Sequence, residues 1–209
     1  MIIEVCAESY EYAVKAEKAG ANRIELCKDL HLDGLTPDYE SAKRTIDTLH
    51  IPVFILIRPK KGDFIYSDEE FELMKSDIVK FKEMGCKGIV SGILKNDNSI
   101  DIERTKELVE LSKPLEFTFH RAFDIVKNPV EEIENLIKMG IDRVLTSGQK
   151  EKAIDGLVLL KQLNNISNNR IVIMPGSCIS KNNLKNFELF KEVHGSFKDE
   201  INTNGFRLC

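Results

Sequence analysis

Short apolar runs and longer amphipathic stretches alternate along the whole chain. The runs IIEVC (2–6), RIELC (23–27), VFILIR (53–58), GIVSG (88–92), EFTFH (116–120), RVLTS (143–147), RIVIM (170–174) and EVHGS (192–196) are short, bounded and mostly rich in β-branched or aromatic residues, as strands are. Between them the apolar positions recur at helical spacing. In FELMKSDIVKF, Phe71, Met74, Ile78 and Phe81 keep to one helical face, and Ser67 with Glu70 forms a capping box in front of it. Asn128 followed by Pro129 and Glu131 marks a second helix start, and Thr36-Pro37 predicts a third in the same way. Three segments, KAGANRIEL, EMGCKGIVS and KMGIDRVLT, repeat one joint: a helix stops at Gly20, Gly85 or Gly140, and an apolar run begins two or three residues later. Eight strands thus alternate with seven clear helices, and no Gly/Pro/Ser-rich linker divides them. This alternation predicts a parallel sheet, and eight units predict a single α/β domain over residues 1–209, a (β/α)8 TIM barrel at the short end of its size range. An open doubly wound sheet is the competing architecture.

Residues two apart on a strand share a face. The apolar sets Ile3/Val5 and Ile24/Leu26 must meet the helix layer, which turns Glu4, Cys6, Glu25 and Cys27 toward the barrel interior. The same parity sends Phe54, Leu56 and Arg58 inward, with Thr118, His120, Glu192 and His194. Barrel interiors are usually filled by branched apolar side chains. Buried charges are costly unless paired, so Glu4, Glu25 and Arg58 are expected to belong to one compensated network. Cys6, Cys27, Arg58, His120 and His194 end their strands, the rim where enzymes of this fold place their chemistry.

Composition narrows the field of functions. Apolar residues make up 42% and charged residues 31%, ordinary for a globular chain. A net charge of −4 with scattered Lys and Arg gives no footprint for nucleic acid. No apolar run approaches the roughly 20 residues of a membrane span, and MIIEVCAESYEY does not read as a signal peptide. Five widely spaced cysteines are not a disulfide framework, which suggests free thiols in a reducing cytoplasm.

The blocks IEVCAES, GANRIELC, DGLTPD, ILIRPKKGDFIYSDEE, TFHRAFD, RVLTSG, IVIMPG and EVHGS, in this order over residues 2 to about 196, resemble those of the CutC copper homeostasis family. The resemblance implies a (β/α)8 barrel, a cytoplasmic role in Cu(I) binding or handling, and Cys6 and Cys27 as the metal residues. There are two departures. PGSCIS stands where the family usually has a glycine run, which puts a backbone anion cradle at that turn in doubt. The sequence also ends at KDEINTNGFRLC, where a final helix is expected.

Two functions remain open. In the metal reading, Cys6 and Cys27 occupy equivalent positions on neighbouring strands about 4.8 Å apart, and their soft thiolates suit Cu(I). Cys178 joins them only if its loop bends inward, while Cys86 and Cys209 stand apart. In the enzyme reading, of lyase or isomerase type, the mouth grips a small anionic metabolite, phosphorylated or not. Its candidate catalytic residues are His120 as acid or base, Arg58 and Asp124, with Arg121, Ser147, Gly176, His194, Glu4 and Glu25 as ligand-binding residues. No inward lysine is available for Schiff-base chemistry, and no organic cofactor is expected. Because INTNGFRLC is a poor helix, the outer faces of Val5 and Val193 are expected to be sheltered by a neighbouring helix or another subunit, giving a homo-oligomer, most simply a dimer.

Overall fold

A computed structural model describes residues 1–202. Eight parallel strands, β1 (Ile2–Ala7), β2 (Arg23–Leu26), β3 (Val53–Leu56), β4 (Gly88–Ser91), β5 (Glu116–Phe119), β6 (Arg143–Thr146), β7 (Val172–Pro175) and β8 (Glu192–Gly195), stand in the order 7-6-5-4-3-2-1-8. β8 pairs with β1, while β7 and β8 lie side by side without a ladder, so the barrel is nearly closed. Its outer layer consists of α1 (Tyr10–Ala19), α2 (Tyr39–Thr48), α3 (Asp68–Glu83), α4 (Ile102–Ser112), α5 (Pro129–Lys138), α6 (Leu157–Ser167) and α7 (Lys198–Asn202). The segment between β7 and β8 carries only a 3-10 turn, Leu184–Phe187. This is the (β/α)8 barrel expected from the alternation.

Local chemistry explains the joints. Gly20 closes α1 at φ 101° and its N–H returns to the carbonyls of Ala16 and Glu17, a conformation only glycine adopts without strain. Ser67 and Glu70 make the full capping box of α3, and Pro129 opens α5. Thr36-Pro37 does not start α2, whose N-cap is Asp38. Thr36 is engaged with the end of β3 instead: its N–H donates to the Arg58 carbonyl, and its Oγ1 accepts the Arg58 N–H at 2.8 Å.

The outer strand faces and inner helix faces form one apolar core that includes Ile3, Val5, Ile24, Ile55, Ile89, Val144 and Val193. Val5 and Val193 are 1% and 0% exposed, sheltered within one chain by α1, α7, Phe197 and Ile201. The exposed seam that motivated a second subunit is therefore absent among the described residues. The rest of the tail, Cys209 included, lies outside them.

The barrel interior carries charge. Arg23 Nε lies 2.5 Å from Glu4 Oε2, and its Nη2 donates to Glu192. Arg143 Nε reaches the same Glu192 oxygen at 3.1 Å, and its Nη2 pairs with Glu116. The Phe54 ring contacts both guanidinium groups, at 4.7 and 5.0 Å, adding cation–π attraction where desolvation is greatest. Gly88 makes room for that ring, since a Cβ there would stand 2.5 Å from Phe54 Cε2. The expected compensated network exists, but its cations are Arg23 and Arg143. Arg58 is not part of it.

Candidate functional site

Above this ionic layer, at the C-terminal ends of β1, β2 and β8, lie the thiols. The register sets Cys6 opposite Glu25, and Cys27 N–H donates to the Ala7 carbonyl one step further on. Cys6 and Cys27 are thus diagonal rather than equivalent as expected, because the strands are staggered. Their sulfurs still come within 3.5 Å. Both are buried, packed with Phe54, Leu56, Val90 and the half-buried Leu30 of the β2–α2 loop.

Around the sulfurs stand two carboxylates and an imidazole. Glu25 Oε1 lies 3.8 Å from Cys6 Sγ, and Glu25 Oε2 is buried without a hydrogen-bond partner. His194 Nδ1 sits 2.7 Å from Glu4 Oε1 and 3.8 Å from Glu25 Oε2. Cys6, Glu25 and His194 each offer a ligand atom, all within 4.8 Å of one another. Glu4 occupies His194 Nδ1 and leaves Nε2 as the nitrogen for a ligand, the carboxylate–imidazole arrangement that orients metal-binding histidines.

These groups set one another's protonation. Burial opposes ionisation of Glu4, yet Arg23 and His194 together hold its carboxyl at about 2. Glu25 is raised to about 7, first by burial and then by the Glu4 charge. The hydrogen bond to Cys27 and burial push the Cys6 thiol well above its ordinary value, with the Glu25 and Glu4 charges adding to the shift. Burial works against the His194 imidazolium, but Glu25 and Glu4 raise its pKa overall. At neutral pH Cys6 is therefore a thiol, and a bound cation would have to displace its proton.

The remaining candidates lie away from the thiols. Arg58, 3% exposed, follows β3, and its guanidinium donates to three carbonyls, Leu32, Gly34 and Gly62, at 2.9–3.0 Å. His120 caps the 3-10 turn Arg121–Ile125, its Nδ1 accepting the Ala122 N–H at 3.3 Å. Burial, with the Arg58 and Arg121 charges, pushes its pKa down to about 3, so it is neutral at physiological pH and poorly matched to general acid–base work there. Asp124 takes the Thr146 hydroxyl at 2.6 Å, the Ser147 and Gln149 N–H groups, and Arg121 Nε at 2.8 Å. It stitches the β5 loop to β6 rather than facing a ligand. Ser147 Oγ donates to the Lys150 carbonyl. The Gly176 N–H donates to Thr146 O at 3.0 Å, so that donor is already taken. Cys178 is exposed at φ 54°, its sulfur 4.0 Å from Ser177 Oγ. Its loop does not bring it among the inward thiols, and Cys86 lies buried at the opposite, helix-to-strand end.

Arg23 and Arg143 were not anticipated. Their signal was present, since each opens its strand on the inward parity, two residues before Glu25 and Leu145 respectively.

A (β/α)8 barrel with a buried thiol–carboxylate–imidazole cluster at its mouth defines the class: a barrel protein with a candidate metal centre. The CutC family model matches residues 1–199, and the chain belongs to that family. The mouse copper homeostasis protein cutC homolog is 48% identical over 184 residues, which is 88% of this chain and 68% of the relative. The Pasteurella multocida family protein CutC is 41% identical over 208 residues, covering 100% and 84% of the two chains. The crystal structure of CutC from Streptococcus agalactiae superposes with a TM-score of 0.90 at 33% identity, over 94% of this chain and 98% of that one. Among the described residues no helix is long and apolar enough to cross a membrane.

Proposed function

We propose that the chain is a cytoplasmic copper-handling protein that holds Cu(I) between Cys6 and Cys27. The observation that carries this reading is the 3.5 Å approach of two buried, reduced sulfurs at the barrel mouth. Two thiolates are soft donors, which select Cu(I) over hard cations, and free thiols suit a reducing compartment. Glu25, with its unpartnered buried oxygen, and His194, oriented by Glu4, stand where they would complete the ion's surroundings. The names of the relatives point to the same metal. Loading must release the Cys6 proton, so apparent affinity should rise with pH. Anaerobic Cu(I) titration against a competing chelator tests this. The double variant Cys6→Ser with Cys27→Ser should lose at least tenfold in affinity, and binding as tight as wild type would refute the thiolate site.

A further inference from the structure

A second group of polar atoms lacks partners, away from the thiols. Arg58 is buried, and its partners among the described residues are carbonyl oxygens, which leave the guanidinium charge uncompensated. Its Nε–H has no acceptor. A buried cation without a counter-charge is costly. The carboxylates nearby are already engaged. Asp63 and Glu70 pair with Lys60 at 3.5 and 3.2 Å, and Asp124 pairs with Arg121 at 2.8 Å.

His120 and Tyr66 share the shortage. His120 is neutral and its Nδ1 accepts the Ala122 N–H, so its proton resides on Nε2. That Nε2–H is buried and unpaired. The Tyr66 hydroxyl is buried beside the Arg58 guanidinium, and its O–H has no acceptor. All three can donate. Arg58 and His120 both pack on Phe64, at 5.0 and 4.8 Å from its ring centre. Phe64 is half-buried and sits in the exposed KGDF stretch of the β3–α3 loop, so its side chain covers the approach.

We propose that Arg58, His120 and Tyr66 form a binding site for a small oxyanion, a carboxylate or a phosphate, admitted past Phe64. One bound oxyanion would supply the counter-charge that Arg58 lacks and acceptors for the unpaired N–H and O–H groups. Charge-assisted bonds of this kind are about twice as strong as neutral ones. None of its three residues is a proposed copper ligand.

Calorimetric titration of the metal-free, reduced protein at constant ionic strength, with sodium oxalate and with inorganic phosphate as separate probes, tests the proposal. At least one probe should bind at one per chain, and the tighter of the two identifies the oxyanion class. Tyr66→Phe removes an O–H that has no acceptor in the protein, so the fold should stand while affinity falls about tenfold or more, the equivalent of one hydrogen bond to a charged group. His120→Asn should cost tenfold or more, and a thermal scan of each variant separates loss of binding from loss of folding. If neither probe binds wild type, or if both variants that remain folded bind as tightly as wild type, the site is not there.

Discussion

Glu25 is the most exposing place to perturb this molecule, because its charge is both buried and short of partners. Its carboxyl is raised from 4.5 to about 7, so the folded state holds a proton that the unfolded chain gives up. Stability contributed by the protonated form is complete below 4.5 and is lost as pH rises toward 7. A rise from 4.5 to about 7 amounts to about 3 kcal/mol in all. Most of it falls between roughly pH 5 and pH 8. Glu25→Gln removes the titration. Any packing cost of the amide is the same at both pH values, so the pH dependence of the difference between the two proteins isolates the charge. Urea unfolding of reduced, chelator-treated protein should show wild type losing about 2 to 3 kcal/mol relative to the variant on going from about pH 5 to pH 8. In a thermal scan this corresponds to about 6 °C for a chain of this length. A difference below about 0.5 kcal/mol, or one of opposite sign, would mean that Glu25 is solvated or paired in the folded protein.

Two further outcomes follow from the network and from the loop. Arg23→Met takes the guanidinium from Glu4 and leaves Glu192 with Arg143 as its one cation and should cost about 3–5 kcal/mol in urea unfolding; a loss under about 1 kcal/mol would show that the Arg23 pairs are dispensable. Arg58 Nη1 holds the Leu32 and Gly34 carbonyls, and so keeps Leu30 against the thiols. Arg58→Ala should accordingly raise the rate at which a maleimide labels Cys6 and Cys27 by tenfold or more, with buried Cys86 as the internal control, and an unchanged rate would show that the loop is held by something else.

The strands, the glycine stops and the Ser67–Glu70 capping box are local patterns, and they were legible one segment at a time. So was the inward parity of Glu4, Cys6, Glu25 and Cys27. Partners were not legible, because parity says which way a side chain points and not which strand it meets. Arg23 reaches Glu192 across 169 residues of sequence, and Arg143 reaches the same carboxylate across 49. Only closure of the barrel brings the three together. Arg58 shared the parity of the true network but lies two residues beyond the end of β3, where the β2–α2 loop claims its guanidinium. Asp124 was misplaced for a related reason. An acid after a strand looks like a mouth group until the β6 loop is seen to supply three donors to it.

Closure also explains why an ionic layer lies beneath a thiol pair. Glu4 has both oxygens engaged: Oε2 on Arg23 below, Oε1 on His194 above. Arg23 keeps Glu4 ionised against its burial, and ionised Glu4 helps raise the His194 pKa and orients its ring. Glu4 in turn adds to the field that raises Glu25. Protonation at the mouth is thus set by salt bridges one layer deeper, whose cations never touch the sulfurs. A barrel filled with branched apolar side chains would pack as well, and replacing buried ion pairs by such residues is often neutral or stabilising. Stability alone therefore gives no reason for this interior to be ionic. Control of charge at the Cys6–Glu25–His194 cluster does give one.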